Sequence, residues 1–322
     1  MTNVIKKFKD RSPEETVKII NNFFNEKGYT VNIIEKSQSE AGTFSFGLSL
    51  YKNKVKVLHS SGKGMTEAYA LASGYAELYE RFCSKCNFIR HPFFVKFFNE
   101  TMYKKYGYYF HPEEKVLTYE DIIQYPIYNT FYTKMLHSKS NIEAFWKLIN
   151  CNEQIIGEPY YDLTNKKTVY HNWAIVNRIT TSGGLAAGNT VEEALNQGLS
   201  ELCEHMTVDR FMLEEQEEYY VIDTNSLSPH LQTAIHNIEN AGFKFFIFDL
   251  SYNFNMPVAM SLLINPITQN TRINLGAFPI FDIAAERVIT EMYQNIKHFA
   301  IGNNIDISPQ IPYLRNQFDD LN

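Results

Sequence analysis

Cysteine is scarce and scattered: Cys83, Cys86, Cys151 and Cys203 are the only four. So uneven a set does not describe a disulfide framework, and a reducing cytoplasm is the expected compartment. Cys83 and Cys86 form a lone CxxC, half a zinc site at most; two small side chains three apart on a helix account for it. Long apolar runs are missing too. The opening residues, Met1-Thr2-Asn3-Val4-Ile5-Lys6-Lys7-Phe8-Lys9-Asp10, lack the apolar core of a secretory signal. No stretch approaches the roughly 18–20 uninterrupted apolar residues of a membrane span. Positive charge is in deficit: 30 Lys and Arg against 36 Asp and Glu give a net charge of −6, so the chain carries no footprint for nucleic acid. To grip an anionic ligand such a protein needs a local basic pocket or a metal. Linkers, low-complexity tracts and charge blocks are absent beyond the first few residues, and the reading is one domain over 1–322.

What is present is aromatic: 24 Phe and 21 Tyr argue for a folded core. Ser12-Pro13-Glu14-Glu15 predicts a helix start, with an N-cap, Pro at N1 and acids in the first turn. That helix should end near Glu26, before Gly28. Strands are expected at Thr30–Ile34, Thr43–Tyr51 and Lys54–Ser60; in the second, Phe44, Phe46, Leu48 and Leu50 alternate with small or polar residues. A long helix follows from about Thr66 to Asn87. Between Arg90 and Lys167 the pattern is uninformative. Later elements are a strand around Tyr170–Ile179, a helix from about Val191 to Glu214, a strand at Tyr219–Asp223 and a helix at Pro229–Asn240. Strands at Phe243–Asp249, Val258–Ile264 and Thr271–Leu275 precede a helix from about Phe281 to Ala300. This alternation predicts an α/β fold, a mixed sheet covered by helices.

Three segments share one pattern. Gly64-Met-Thr-Glu-Ala-Tyr-Ala70 is followed by Ser73, Glu77, Glu80 and Arg81. Gly188-Asn-Thr-Val-Glu-Glu-Ala194 is followed by Gln197, Glu201, Glu204 and His205. Gly276 and Ala284 are followed by Arg287, Glu291 and Gln294. Each reads as a strand end, a glycine turn and a helix. Positions i, i+4 and i+7 of a helix fall within about 60° of one another, so each set projects from one face. Five glutamates on three matched faces would repel one another and lose solvation if the faces converge. A bound cation removes that difficulty, and carboxylate oxygens favour Mg²⁺, which commonly joins protein carboxylates to phosphates. Lys63, Arg81 and Arg287 could offset phosphate charge. The plainer alternative is three amphipathic helices with solvated Glu faces; three copies in register, each behind a glycine turn, weigh against it.

At these residues the sequence resembles the YcaO family. Ser73-x3-Glu77-x2-Glu80-Arg81, Gln197-x3-Glu201-x2-Glu204 and Phe281-Asp-Ile-Ala-Ala-Glu-Arg-Val-Ile-Thr-Glu291 match its three signatures. The lead-ins Ser61-Gly-Lys-Gly64 and Gly184-Leu-Ala-Ala-Gly-Asn-Thr190 fit as well, and the resemblance runs from about Lys9 to Lys297. It implies ATP clamped between helices, with Mg²⁺ held by Glu77, Glu201, Glu204 and Glu291. It assigns nucleotide or phosphate contacts to Ser73, Glu80, Asn189, Glu193, Gln197 and Arg287, beside the charge-offsetting Lys63 and Arg81. Lys9 and Thr16 match an N-terminal Lys with a hydroxyl seven residues on, Thr replacing the usual Ser.

The chain departs from the family pattern in three places. His205 stands where the second signature has Arg, a role Arg210 could take over. Ala186 replaces a frequent Ser. Family members usually continue beyond the third signature, azoline-forming ones often into a proline-rich tail; here only Pro309 and Pro312 precede Asp319-Asp320-Leu321-Asn322. The resemblance implies ATP-dependent activation of a peptide backbone amide, first of all cyclodehydration of Cys, Ser or Thr in a ribosomally made peptide. Thioamidation, or support of ribosomal protein S12 methylthiolation, stands second, and the wording of the third signature is nearer the stand-alone bacterial branch. A non-catalytic ATP-binding regulator is the reading from another class. No protein nucleophile is required, so His59, His171 and His298 are expected to be structural. The expected partners are a peptide or protein substrate and a separate docking or sulfur-transfer protein, with a homodimer left open.

Overall fold

Ser12 starts the first helix through a reciprocal cap. Its hydroxyl accepts the Glu15 N–H at 3.2 Å and the Glu15 carboxylate accepts the Ser12 N–H at 3.0 Å, which satisfies two donors that the helix itself cannot. Helix α1 runs Pro13–Glu26 and leaves through Lys27 and Gly28, the latter at φ +74°. The computed structural model describes residues 9–84, 115–118, 121, 124, 141, 155–172, 183–213, 220–252 and 255–292. The ends expected at Asn87, Glu214 and Ala300, with Cys86, Cys151, Gln294 and His298, lie outside these residues. The chain divides into two compact units, Met1–Ser84 with Gly183–Asn322, and Lys85–Ser182.

In the first unit, β1 (Tyr29–Gln38), β2 (Phe44–Lys52) and β3 (Val55–Gly64) form an antiparallel meander. Asn53 and Lys54 link β2 to β3, both at positive φ, the two-residue turn whose twist suits a hairpin. Phe46, Leu48 and Leu50 alternate on one face of β2 and are buried with Phe24 of α1 and Leu78 of α2 (Glu67–Cys83). Phe23, Tyr29, Tyr79 and Phe82 close this core with edge-to-face contacts.

The rest of the unit contains α3 (Val191–Leu213), β7 (Tyr220–Val221), α4 (Pro229–Asn240), β8 (Lys244–Asp249), β9 (Val258–Ile264), β10 (Thr271–Ala277) and α5 (Phe281–Met292). Its sheet has the order β10-β9-β8-β7. Odd-numbered Phe245, Ile247, Ala259 and Leu263 meet α4 and α5 through Leu231, Ile235, Ile238, Val288 and Ile289. Even-numbered Phe248, Met260 and Leu262 point the other way, where Cys203 and Phe211 of α3 pack. The period of two thus places helices on both faces. The second unit shows β4 (Lys115–Leu117), β5 (Ile155–Asp162) and β6 (Lys167–Asn172), in that order. There Lys115 lies 3.9 Å from the Tyr170 ring centroid and His171 packs against Tyr160.

The fold class is the expected α/β. The strands form three sheets, and every described pairing is antiparallel. Short connections such as Asn53-Lys54 and 265–270 allow hairpins, whereas a parallel pair needs a crossover of about a dozen residues or more. Among the described residues no helix is long and apolar enough to cross a membrane.

The glycines of the three matched segments have a measurable reason. A Cβ at Gly64 would lie 2.7 Å from Ala70 N, one at Gly188 2.4 Å from Ala194 N, and one at Gly276 2.9 Å from Ala284 O. In each segment the chain entering the helix crosses against the backbone at the alanine of the pattern. Closest of all, a Cβ at Gly62 would sit 2.0 Å from Ala70 O and 2.3 Å from Gly74 N. Backbone cannot yield as a flexible side chain does, so Gly62→Ala should destabilise the protein by about 3 kcal/mol or more. Chemical denaturation measures this, and a loss below about 1 kcal/mol would show that β3 and α2 can separate freely.

Candidate functional site

Helix α3 has its amphipathicity inverted. Val191, Leu195, Leu199, Leu202 and Met206, all within about 80° of one another on a helix, are 71%, 46%, 52%, 43% and 56% exposed. The face turned inward carries Glu193, Gln197, Glu201 and Glu204 instead. Glu193 is 9% exposed, and Gln197, Glu201 and Glu204 are half-buried. Burying acids in preference to leucines costs solvation, so this face exists for something other than packing.

At its N-terminal end the face receives the start of the chain. Thr190 caps α3, its hydroxyl accepting the Glu193 N–H at 3.2 Å, as the Thr66 hydroxyl accepts the Tyr69 N–H at 3.3 Å ahead of α2. The Glu193 carboxylate is a hub. One oxygen accepts the Asp10 N–H at 2.8 Å; the other accepts the Asn189 backbone N–H at 2.8 Å and its side-chain amide at 3.1 Å. Thr16 donates to Asn189 Oδ1 at 2.9 Å. The Lys9 ammonium stands 3.7 Å from Glu193 and its side chain is 41% exposed. Lys9 and Thr16 thus come together with Asn189 and Glu193, Thr16 and Asn189 being 173 residues apart in sequence. Beside them a cavity of about 220 Å³ is lined by Lys9, Asp10, Glu192, Glu193, Asn196, Gln197 and Phe278.

One turn further along α3 the three helix faces meet. Glu77 accepts the Ser61 N–H at 3.3 Å and pairs with Arg81. Lys63 Nζ bonds Glu291 at 2.6 Å, while Glu201 accepts the N–H of Gly184 and lies 3.9 Å from the imidazole of His205. Both glycine-rich lead-ins therefore hold a glutamate by a backbone N–H. Arg287 donates to Ala277 O at 2.8 Å. Ser73 is half-buried one turn before Glu77. Arg210 lies over the Tyr252 ring, 4.6 Å from its centroid.

Crowding and burial are felt in the proton affinities of Glu80, Glu201 and Glu204. Glu80 is pushed up to about 8, first by burial, then by repulsion from Glu201 and Glu77, with Arg81 opposing. Glu204 is pushed up to about 7, first by burial and then by Glu291 and Glu201, against Arg287 and Lys63. Glu201 is raised as well, chiefly by burial. Among the described residues no group of three or more acid, His or Cys side chains is arranged to hold a metal ion as it stands; Glu77 and Glu291 are neutralised by Arg81 and Lys63 instead. The donor set fits a hard dication shared with phosphate: oxygen ligands only, crowded and part-buried, with cations beside them that phosphate could draw away. The Arg81 Nε is buried and has no hydrogen-bond partner among the described residues.

Reading the sequence singled out the five glutamates with Lys63, Arg81 and Arg287, but it missed Arg272 beside Glu291, Asp10, Glu192, Asn196 and Phe278 at the cavity, and the backbone donors of Ser61 and Gly184. Asp10 is adjacent to a residue that the reading did find, yet nothing in its local pattern separates it from a surface acid.

The chain belongs to the YcaO family: the family described as YcaO cyclodehydratase, ATP- and Mg²⁺-binding, matches residues 61–320. An uncharacterized protein of Haemophilus influenzae is 30% identical over 247 residues, which cover 73% of this chain and 40% of that protein. The ribosomal protein S12 methylthiotransferase accessory factor YcaO of Escherichia coli is 29% identical over 242 residues, with the same coverage of 73% and 40%. The chain therefore spans about two fifths of the length of these curated relatives. Among solved structures, YcaO from Methanopyrus kandleri bound with AMPPCP and Mg²⁺ is similar with a TM-score of 0.59 at 16% identity, over 96% of this chain and 74% of that one. A heterocyclase in complex with substrate and cofactor also gives 0.59, at 18% identity, over 88% and 39%. At such identities the likeness is one of fold.

Proposed function

We propose that this chain binds ATP with Mg²⁺ and uses it to activate a backbone amide of a peptide, most simply for cyclodehydration of Cys, Ser or Thr to an azoline. The observation that carries the reading is the inverted helix α3, whose buried acidic face links the Lys9–Glu193 cavity to the carboxylates of α2 and α5. Glu77, Glu201, Glu204 and Glu291 would hold the magnesium. Bound there, the metal supplies charge neutralisation for a transferring phosphoryl group. Lys9, Lys63, Arg81 and Arg287 offset the remaining phosphate charge, and Thr16, Ser73, Glu80, Asn189, Glu193 and Gln197 complete the nucleotide site.

In this reaction the peptide's own thiol or hydroxyl gives up its proton to solvent and adds to the preceding amide carbon. The resulting oxyanion takes the γ-phosphoryl group, ADP departs, and loss of phosphate with the amide proton leaves a C=N bond. The chain's task is to position reactants and balance charge, and none of its side chains need act as a nucleophile. Substrate recognition falls to a separate docking protein, and the working compartment is the cytoplasm.

A second reading, support of ribosomal protein S12 methylthiolation with a sulfur-transfer partner, is favoured by the name of the Escherichia coli relative. Thioamidation is a third outcome of the same activation. Phosphate release with candidate peptides and docking proteins, followed by mass spectrometry, tests all of these. ADP and phosphate should form in step with peptide modification, with little turnover on ATP alone, because water is a poorly placed acceptor. Loss of the elements of water indicates an azoline, and replacement of oxygen by sulfur a thioamide. Tight Mg·ATP binding with neither phosphate nor a mass change would make the chain a regulator and overturn the proposal.

A further inference from the structure

The N-terminal segment is tied to α3 by a residue for which the nucleotide reading has no use. Asp10 grips twice. Its backbone N–H donates to Glu193 at 2.8 Å, and its carboxylate accepts the Thr190 hydroxyl at 2.8 Å. That hydroxyl also caps the helix, so the acid is anchored to the N-cap of α3. The side-chain bond spans 180 residues of sequence. Thr16, six residues on, makes the next attachment through Asn189.

Lys9 is placed by this anchor without being consumed by it. Glu193 already receives three N–H donors, from Asp10 and from the backbone and side chain of Asn189. Lys9 stands outside hydrogen-bonding range of it, at 3.7 Å, and remains 41% exposed. Lys9 and Asp10 both line the cavity. A lysine on a free chain end would have to be immobilised when an anion arrives, which costs affinity; one held in place beforehand loses less.

We infer that Asp10 is a positioning residue: it latches the N-terminal segment to the cap of α3 and so holds the Lys9 ammonium over the cavity for an anionic ligand. This rests on the nucleotide reading only for the identity of that anion.

The decisive experiment compares Asp10→Ala, Asp10→Asn and Lys9→Ala in the full chain, with two readouts. The first needs no nucleotide: the rate of trypsin cleavage after Lys9 and Arg11. Asp10→Ala should speed it roughly tenfold or more, since local opening sets the rate. Asp10→Asn, which keeps an oxygen to accept from Thr190, should restore wild-type protection. The second is calorimetric titration with Mg·ATP. Asp10→Ala should weaken binding by roughly tenfold, as expected for a lost hydrogen bond to a charged group, and should change nothing further when added to Lys9→Ala. Global melting should not move in any of the three. Unchanged cleavage in Asp10→Ala overturns the latch. Faster cleavage with undiminished Mg·ATP affinity, while Lys9→Ala binds poorly, overturns the positioning role. If wild-type protein ignores Mg·ATP, the nucleotide reading falls, and the cleavage rates still decide the latch.

Discussion

Glu77→Gln and Glu201→Gln are each expected to weaken Mg²⁺-dependent ATP binding by roughly 100-fold or more, without loss of the fold. Glutamine keeps the length of glutamate and one acceptor oxygen. The Ser61 N–H that now bonds Glu77, and the Gly184 N–H that bonds Glu201, can still be accepted. What disappears is the negative charge. A neutral amide is a far poorer ligand for a hard dication than a carboxylate. The structure adds a reason at Glu77: Arg81 sits one turn beyond it, and with that glutamate neutral the site becomes more cationic just where the metal must enter. Titration with Mg·ATP gives the affinity, and circular dichroism with a thermal melt checks the fold. Nucleotide affinity unchanged in both variants would refute the metal assignment while leaving the family membership intact.

Much of this was legible in the sequence because it depends on period and spacing. The i, i+4, i+7 placement of Gln197, Glu201 and Glu204 sets a helix face whatever surrounds it, and Ser12-Pro13-Glu14-Glu15 carries its cap within four residues. The glycines were legible as turns, but their actual task is close approach: Gly62 and Gly188 are needed because backbone lies where a Cβ would be. No local pattern reports that. Sheet arrangement was also beyond reach, since an alternation of strands and helices does not say whether the strands return as hairpins. Asp10 was missed for a related reason. Its partners, Thr190 and Glu193, lie 180 and 183 residues away, and only the packed structure pairs them. Nor does counting acids reveal that they are held apart from a metal-binding arrangement by Lys63 and Arg81; that follows from which cation the fold sets beside each carboxylate.

The carboxylate cluster also predicts how stability responds to pH. The pKa of Glu80 rises to about 8 and that of Glu204 to about 7 in the folded chain, from an ordinary 4.5. Folding therefore favours the protonated forms. Their contribution is complete below the unfolded value and is lost as pH rises through about 7 for Glu204 and about 8 for Glu80. Without metal, the melting temperature should fall by roughly 5 °C between pH 6 and pH 9, a range where most proteins carry no titrating carboxylate. Mg²⁺ with a nonhydrolysable ATP analogue should reverse the fall, because a cation among the carboxylates offsets the burial, and then the repulsion, that raise their proton affinities, and binding should release protons around neutral pH. The Glu80→Gln, Glu204→Gln double variant supplies the control. Amides resemble the protonated acids, so its melting temperature should be nearly flat across the same range and should exceed that of the wild type at pH 9. A wild-type protein as stable at pH 9 as at pH 6, with the double variant no different, would mean that the two acids are open to water and that the three helix faces do not close on one another.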